Sequence, residues 1–441
     1  MRVPELKLFS AIPPLLGLML ATTAWAAGEP PAATIADQTK PGAGIEMAEA
    51  TAGKSALVTS AVSFIAGEVQ KIQDPTLKAA TADALSNRDT CIQHRRRVDA
   101  AAKQAILTKL KDAGLVDLAD DAKFPGGLMA GVFPPVEAEG GDCPRLPESY
   151  MAAPGSAFGG HHSYPGGLPV HVALNLSSAL SLADNYRRVY GAPGSDGLPR
   201  VSVAVPSAPD VAINQDIVIA APVWHDWAKP IVFQWNADGS EFQELNFGGN
   251  GKTDAWGGAG DSRTGAHHIL GIAEVMKRGL APDYVITQAS AHAAPTGTGF
   301  WQVVNWLRAA AILADIDPVA KGYLALQNDR LVLPLVRQLG TANIAAALPN
   351  QPNLLIEYVL HNLSDADYTF TGPAVAQTQF LLQALAPRFG YDPAKITEYN
   401  TRYRNPVLSN MSAERLLMVF SGTGVDGVAA ELTKLKAAGL I

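Results

Sequence analysis

Cysteine is almost missing from this chain: it has two, Cys91 and Cys143, in 441 residues. Two thiols cannot build the cysteine-rich knuckles that hold structural zinc. A basic excess is missing as well, since 34 Lys and Arg face 41 Asp and Glu for a formal net charge of −7. No global positive field surrounds such a chain, which argues against a protein that coats nucleic acid. After the first 26 residues no stretch is long and apolar enough to suggest a membrane span. What the chain does have is bulk: 48% hydrophobic residues over this length can bury a large core.

Arg2 and Lys7 precede a mostly apolar run from Leu8 to Trp25, which ends in Ala24-Trp25-Ala26. A basic start, an apolar middle and a small-x-small exit describe a secretory signal peptide over residues 1–26. An uncleaved anchor is the alternative, but Pro13 and Pro14 break the run and it is short for a span. An exported, periplasmic or secreted protein is therefore expected, with no span after the leader is removed. In an oxidising compartment an even cysteine count favours a Cys91–Cys143 bridge, with two buried thiols as the alternative.

The expected class is mainly α. Residues 27–45, rich in Pro, Gly and Ala, read as a flexible tether, and residues 46–117 as an N-terminal helical region. There Val58, Val62, Ile65, Val69 and Ile72 share one helix face, and Asp74-Pro75 signals a helix start. A further helix is expected from about Arg88 to Ala113, with His94-Arg95-Arg96-Arg97 as a solvated face or a phosphate contact. Residues 118–160 are a Pro/Gly-rich connection, 161–370 a helical domain, and 371–441 a C-terminal helical extension. Within the helical domain, Ile231–Phe247 alternates around Asn236-Ala237-Asp238-Gly239, the pattern of a β-hairpin.

Histidine carries the functional signal. Eight of the nine fall between positions 161 and 361, and three of these lie in HHSYPGGLPVH, residues 161–171. In VIAAPVWHDWAK an apolar helix ends by placing His225 beside Asp226, with Lys229 one turn on. Such a pair is costly to bury unless a cation satisfies the carboxylate; a divalent metal would do so, and a salt bridge to Lys229 is the alternative. His267-His268 opens another helical stretch, His292 lies in ITQASAHAAP, and His361 and Asp365 stand four apart, with Asp367 a competitor to Asp365. Imidazoles and carboxylates from five helical contexts, without a thiolate, suit one or two divalent ions in a catalytic rather than a structural role.

The order His171, His225-Asp226, His268, His292, Asp365 resembles the HD-domain superfamily of metal-dependent phosphohydrolases. HHSYPGGLPVH and WHDWAK are similar in wording to the branch that includes 3′–5′ exoribonucleases, and the likeness covers residues 158–295, with Asn353–Thr369 as a closing helix. The resemblance implies an HD-type helical bundle with a small β-hairpin insertion. It implies one ion held by His171, His225, Asp226 and Asp365, with Asp226 bridging to a second ion on His268 and His292. Asp226 and Lys229 would carry the catalysis, Lys229 facing substrate phosphate, and His161 or His162 would line the pocket.

Mn, Zn, Ni, Mg or Fe would supply a water acidified toward neutral pH, for hydrolysis of a phosphomonoester or phosphodiester. The acidic net charge disfavours long nucleic acid, so a small nucleotide or other phosphate ester is the expected substrate. Two other readings stay open: an HD-fold di-iron oxygenase of the myo-inositol oxygenase type, whose ordered ligand set is similar, and a non-catalytic metal- or ligand-binding protein.

Overall fold

The computed structural model describes residues 41–192, 211–249, 262–297, 299–337 and 355–441. The expected leader, residues 27–40 of the tether and residues 250–261 of the Gly-rich loop lie outside them. The described chain is mainly helical, with two short antiparallel strand pairs.

The N-terminal region opens with α1 (Ile45–Lys54), α2 (Ala56–Val69) and α3 (Pro75–Leu85). Ser55 caps α2 by accepting from the Val58 amide, and Asp74 caps α3 by accepting from Leu77, with Pro75 at the first helical position. The expected apolar stripe of α2 buries Val58, Ile65 and Val69. The helices of this region pack into the main core. The Trp224 indole donates to Thr81 Oγ1 at 3.1 Å and the Trp227 indole to the Ala84 carbonyl at 3.1 Å. Both rings are fully buried. Each contributes roughly 5 kcal/mol of apolar burial at most.

No single helix spans Arg88–Ala113. Two 3₁₀ turns, Asn87–Asp89 and Gln93–Arg95, precede α4 (Ala100–Asp112). The Cys91–Cys143 disulfide explains the break: it draws the chain into a bridge beside Arg145, and the helix restarts only where Asp99 caps Ala102. His94 and Arg95 are buried rather than solvated. His94 Nδ1 lies 2.9 Å from Glu274 Oε2, and Arg95 is paired with Glu139. Arg96 and Arg97 are exposed as expected, and Arg97 pairs with Asp142.

The main body is α5 (Gly167–Tyr190), α6 (Gln215–Trp224), α7 (Ala266–Lys277), α8 (Pro282–Ala289), α9 (Gly299–Ala314) and α10 (Ile356–Ser364). Helix α6 is central, touching α3, α5, α8 and α10, while α9 lies along α7. The hairpin expected at Ile231–Phe247 is reduced to one bridge, Trp235 to Glu241, around the Asn236–Gly239 turn. Pro230 cannot donate to a ladder and begins a helical turn, Lys229–Val232, instead. The outer residues, β1 (Asn246–Phe247), pair with β2 (Thr264–Gly265) across the Gly-rich loop. A second hairpin, β3 (Ala325–Gln327) and β4 (Arg330–Val332), turns at Asn328-Asp329, whose φ values of 51° and 59° suit a two-residue turn.

The C-terminal extension, expected from residue 371, falls within α11 (Tyr368–Phe389) at its start and continues through α12 (Asn405–Met411) and α13 (Ala413–Ala437). It has its own core, with Leu382, Tyr403, Val407 and Leu416 packed around Tyr164 from the HHSYPGG turn. By length and composition α13 is apolar enough to cross a bilayer, which the sequence had not suggested. Here it breaks at Gly424 (φ 69°, ψ −164°) and packs on α11, with Glu414 in its first turn.

Candidate metal centre

Six side chains converge on one cavity because each leaves its element at a terminus or first turns facing the same space. His171 lies near the start of α5. Pro222 sits inside the last turn of α6, and its carbonyl accepts from His225 Nδ1 at 2.8 Å. His225 is the C-cap of α6, so the chain leaves the helix there and Asp226 turns to the same side. His267 opens α7, His292 follows the end of α8, and Asp365 is the C-cap of α10.

The first four donors form a compact set. His171 Nε2 lies 3.1 Å from both Asp226 Oδ2 and Asp365 Oδ1. His225 Nε2 lies 3.2 Å from the same two oxygens and 3.4 Å from His171 Nε2. Donors about 2.0 Å from a shared tetrahedral ion stand about 3.3 Å from one another. The five distances among His171, His225 and the two carboxylates match that spacing, and His171, His225 and Asp365 bring donor atoms within 4.8 Å of one another, so these residues fit a divalent ion. A second set adjoins it: Asp226 Oδ1 is 3.3 Å from His267 Nε2, and Asp226, His267 and His292 bring donor atoms within 4.8 Å of each other. Neither Asp226 Oδ1 nor His267 Nε2 has a hydrogen-bond partner.

The outer nitrogens tell the same story. His171 Nδ1 meets Asp367 Oδ2 at 3.2 Å, His267 Nδ1 meets Glu244 Oε2 at 2.7 Å, and His292 Nδ1 meets Thr264 Oγ1 at 2.8 Å. With His225 held by Pro222, all four rings have Nδ1 fastened outward and Nε2 turned inward toward the donor sets, the way metal-ligating histidines are oriented.

Two expected placements change. The second set uses His267, not His268. As the next residue on α7, His268 is turned away: its Nε2 pairs with the Ala289 carbonyl at 3.2 Å, and its ring packs 4.8 Å from Trp306. Lys229 lines the cavity, but its Nζ contacts Asp226 Oδ2 and the Gly155 carbonyl, not open space. Of the two competing aspartates, Asp365 joins the donor set and Asp367 orients His171. His361, four residues before Asp365, places its ring 5.3 Å from His225, and both its nitrogens lack partners. Burial pushes its pKa down to about 3. His292 is likewise held down, to about 4, by burial and then by His267.

Burial alone would lower His171 and His225, but the surrounding carboxylates outweigh it. Asp226 and Asp365 lift His225 to about 9, and Asp367 with the same pair lifts His171 well above the ordinary range. Asp226 and Asp365 are held well below the usual carboxylate range, against their own burial, chiefly by His225. The carboxylates therefore favour protons on these two rings, and a cation entering the set competes with those protons, less so as the pH rises.

The cavity above these groups measures about 390 Å³ and is lined by Ser156, His161, Lys229, Phe233, Asn362 and Tyr368. That is room for a small ligand. Of the two expected pocket histidines, His161 lines it, while His162 lies buried behind His171. No family model matches the chain, and no curated protein or solved structure is significantly similar to it.

Proposed function

We propose that this protein is an exported, HD-type metal-dependent phosphohydrolase or phosphodiesterase acting on a small phosphate ester or nucleotide. The observation that carries the proposal is the pair of adjoining donor sets, His171, His225 and Asp365 beside Asp226, His267 and His292, with Asp226 Oδ2 also within 3.2 Å of the first two histidines. His171, His225, Asp226 and Asp365 hold one divalent ion; Asp226, His267 and His292 hold the other. The nitrogen and oxygen donors suit Zn, Mn, Ni, Fe or Mg, and such ions supply acidified water and charge neutralisation for phosphoryl chemistry. The Cys91–Cys143 disulfide supports the exported reading.

The chain's own residues divide the remaining work. Asp367, Glu244, Thr264 and the Pro222 carbonyl fix the ligand rings. Lys229 lines the cavity as a cation anchored on Asp226, and it can meet a phosphoryl oxygen by giving up its contact with the Gly155 carbonyl. The cavity's size and the chain's acidic charge select a small ester over a polynucleotide.

Lys229 gives the test. Lys229→Met should retain the ions while lowering turnover on phosphate esters by about a hundredfold, the cost of one charge-assisted contact in a dry site. Steady-state kinetics on ion-loaded protein reads this directly. Unchanged turnover per loaded molecule with a lowered melting temperature would reduce Lys229 to a salt-bridge partner of Asp226.

A further inference from the structure

His162 is held in a conformation that residues with side chains rarely adopt, with φ at 54°. Two glycines permit it: a Cβ on Gly155 would lie 2.5 Å from the His162 Cβ, and one on Gly167 would lie 1.8 Å from the His162 carbonyl oxygen. That carbonyl accepts from the amides of Gly155 at 2.8 Å and Tyr164 at 2.9 Å. The next residue is clamped by the C-terminal extension, where the fully buried Arg404 donates to the Ser163 carbonyl at 3.0 Å and to its Oγ at 3.1 Å. Local strain persists only where the surroundings over-determine it, and its usual purpose is to aim a side chain.

The imidazole is aimed into a set of unsatisfied polar atoms. His162 is 2% exposed, and its Nδ1 lies 3.9 Å from Asp367 Oδ2 without a hydrogen bond. Its Nε2 lies 3.6 Å from Glu414 Oε1, delivered by the first turn of α13. Asp367 Oδ1, Glu414 Oε1 and His161 Nδ1 are also shielded from solvent and have no hydrogen-bond partner. His161, His162 and His171 each bring a ring nitrogen within 4.8 Å of the others. Among the described residues no lysine or arginine pairs with Asp367 or Glu414. Leaving such a group unpaired costs about 1–3 kcal/mol, more when it is charged. An anion cannot resolve this, because two carboxylates would repel it. A cation can.

We infer that His161, His162 and Asp367 hold a third divalent cation on the far edge of His171, beside the two-ion centre. The inference rests on the two-ion reading above, since His171 Nε2 is committed there and its Nδ1 to Asp367. Glu414 lies on the Nε2 side of His162 at 3.6 Å, which leaves Nδ1 for the ion. Asp367, with Oδ2 on His171 and Oδ1 unpaired, links the third position to the first. Two nitrogens and a carboxylate, without sulfur, suit Zn²⁺, Mn²⁺ or Ni²⁺. The C-terminal extension, through Glu414 and Arg404, is then part of the metal centre.

The test is anomalous diffraction from the unmodified protein loaded with Zn²⁺ and recorded at the zinc edge. The expected result is three peaks, the third about 2.0–2.1 Å from His162 Nδ1. In solution, His162→Gln and Glu414→Gln should each lower bound zinc from three per chain toward two. Peaks at the two neighbouring positions with none at His162 would overturn the third ion and leave the two-ion reading standing. An absence of peaks throughout would overturn both.

Discussion

Asp226→Ala should strip the centre of both neighbouring ions and abolish phosphate-ester turnover. Its two carboxylate oxygens face different sets, Oδ2 toward His171 and His225 at 3.1 and 3.2 Å and Oδ1 toward His267 at 3.3 Å. No other described residue joins both sets so closely. Losing the ions removes the acidified water and the charge neutralisation together, a loss of roughly a thousandfold or more in rate. The substitution also strands the Lys229 ammonium, 3% exposed, without its carboxylate. Breaking a buried pair in this way costs about 3–5 kcal/mol. Asp226→Asn, which keeps the shape and a hydrogen-bonding oxygen, separates the two effects. Elemental analysis of that folded variant should show metal content reduced at both positions. Full metal content would show that Asp226 is not a shared ligand.

His267→Ala should lose one ion and most turnover, whereas His268→Leu should keep the ion count and lower only stability. The tandem histidines sit one residue apart at the start of α7, about 100° around the helix axis from each other. His267 has Glu244 on Nδ1 and Asp226 beyond Nε2; His268 has a backbone carbonyl on Nε2 and Trp306 against its ring. Removing a buried ring of the second kind costs about 2–4 kcal/mol in stability. Metal content measured alongside a thermal melt distinguishes the pair. Loss of an ion in His268→Leu with retention in His267→Ala would reverse the assignment.

That tandem shows where sequence reading stops. Adjacent histidines at a helix start announce a site, but which ring faces it depends on where the helix begins, and boundaries are the least legible feature of a sequence. The His225-Asp226 pair was legible because an apolar helix ending in a polar pair has few alternatives. Asp365 stood out from its spacing to His361, although the same spacing did not show that His361 would be left with two unpartnered nitrogens. Glu244, Thr264 and Glu414 were illegible, because their value lies in contacts across 23, 28 and more than 200 residues.

The helical class and the cap at Asp74 follow from local chemistry. The break near Cys91 does not, since a crosslink to Cys143 overrides the helical pattern around it. The reduced hairpin has a similar cause: alternation favoured strands, but Pro230 starts a helical turn, and Phe247 finds its partner beyond the Gly-rich loop.

We propose above that these histidines and aspartates form a hydrolytic metal centre. Its most direct test is elemental analysis of the unmodified protein isolated from its native compartment, paired with phosphate-ester hydrolysis before chelation, after it, and after ion return. The expected result is at least two divalent ions per chain and hydrolysis that vanishes with chelation and returns with the metal. Protein that binds no metal would contradict it, as would two irons that consume oxygen while releasing no phosphate.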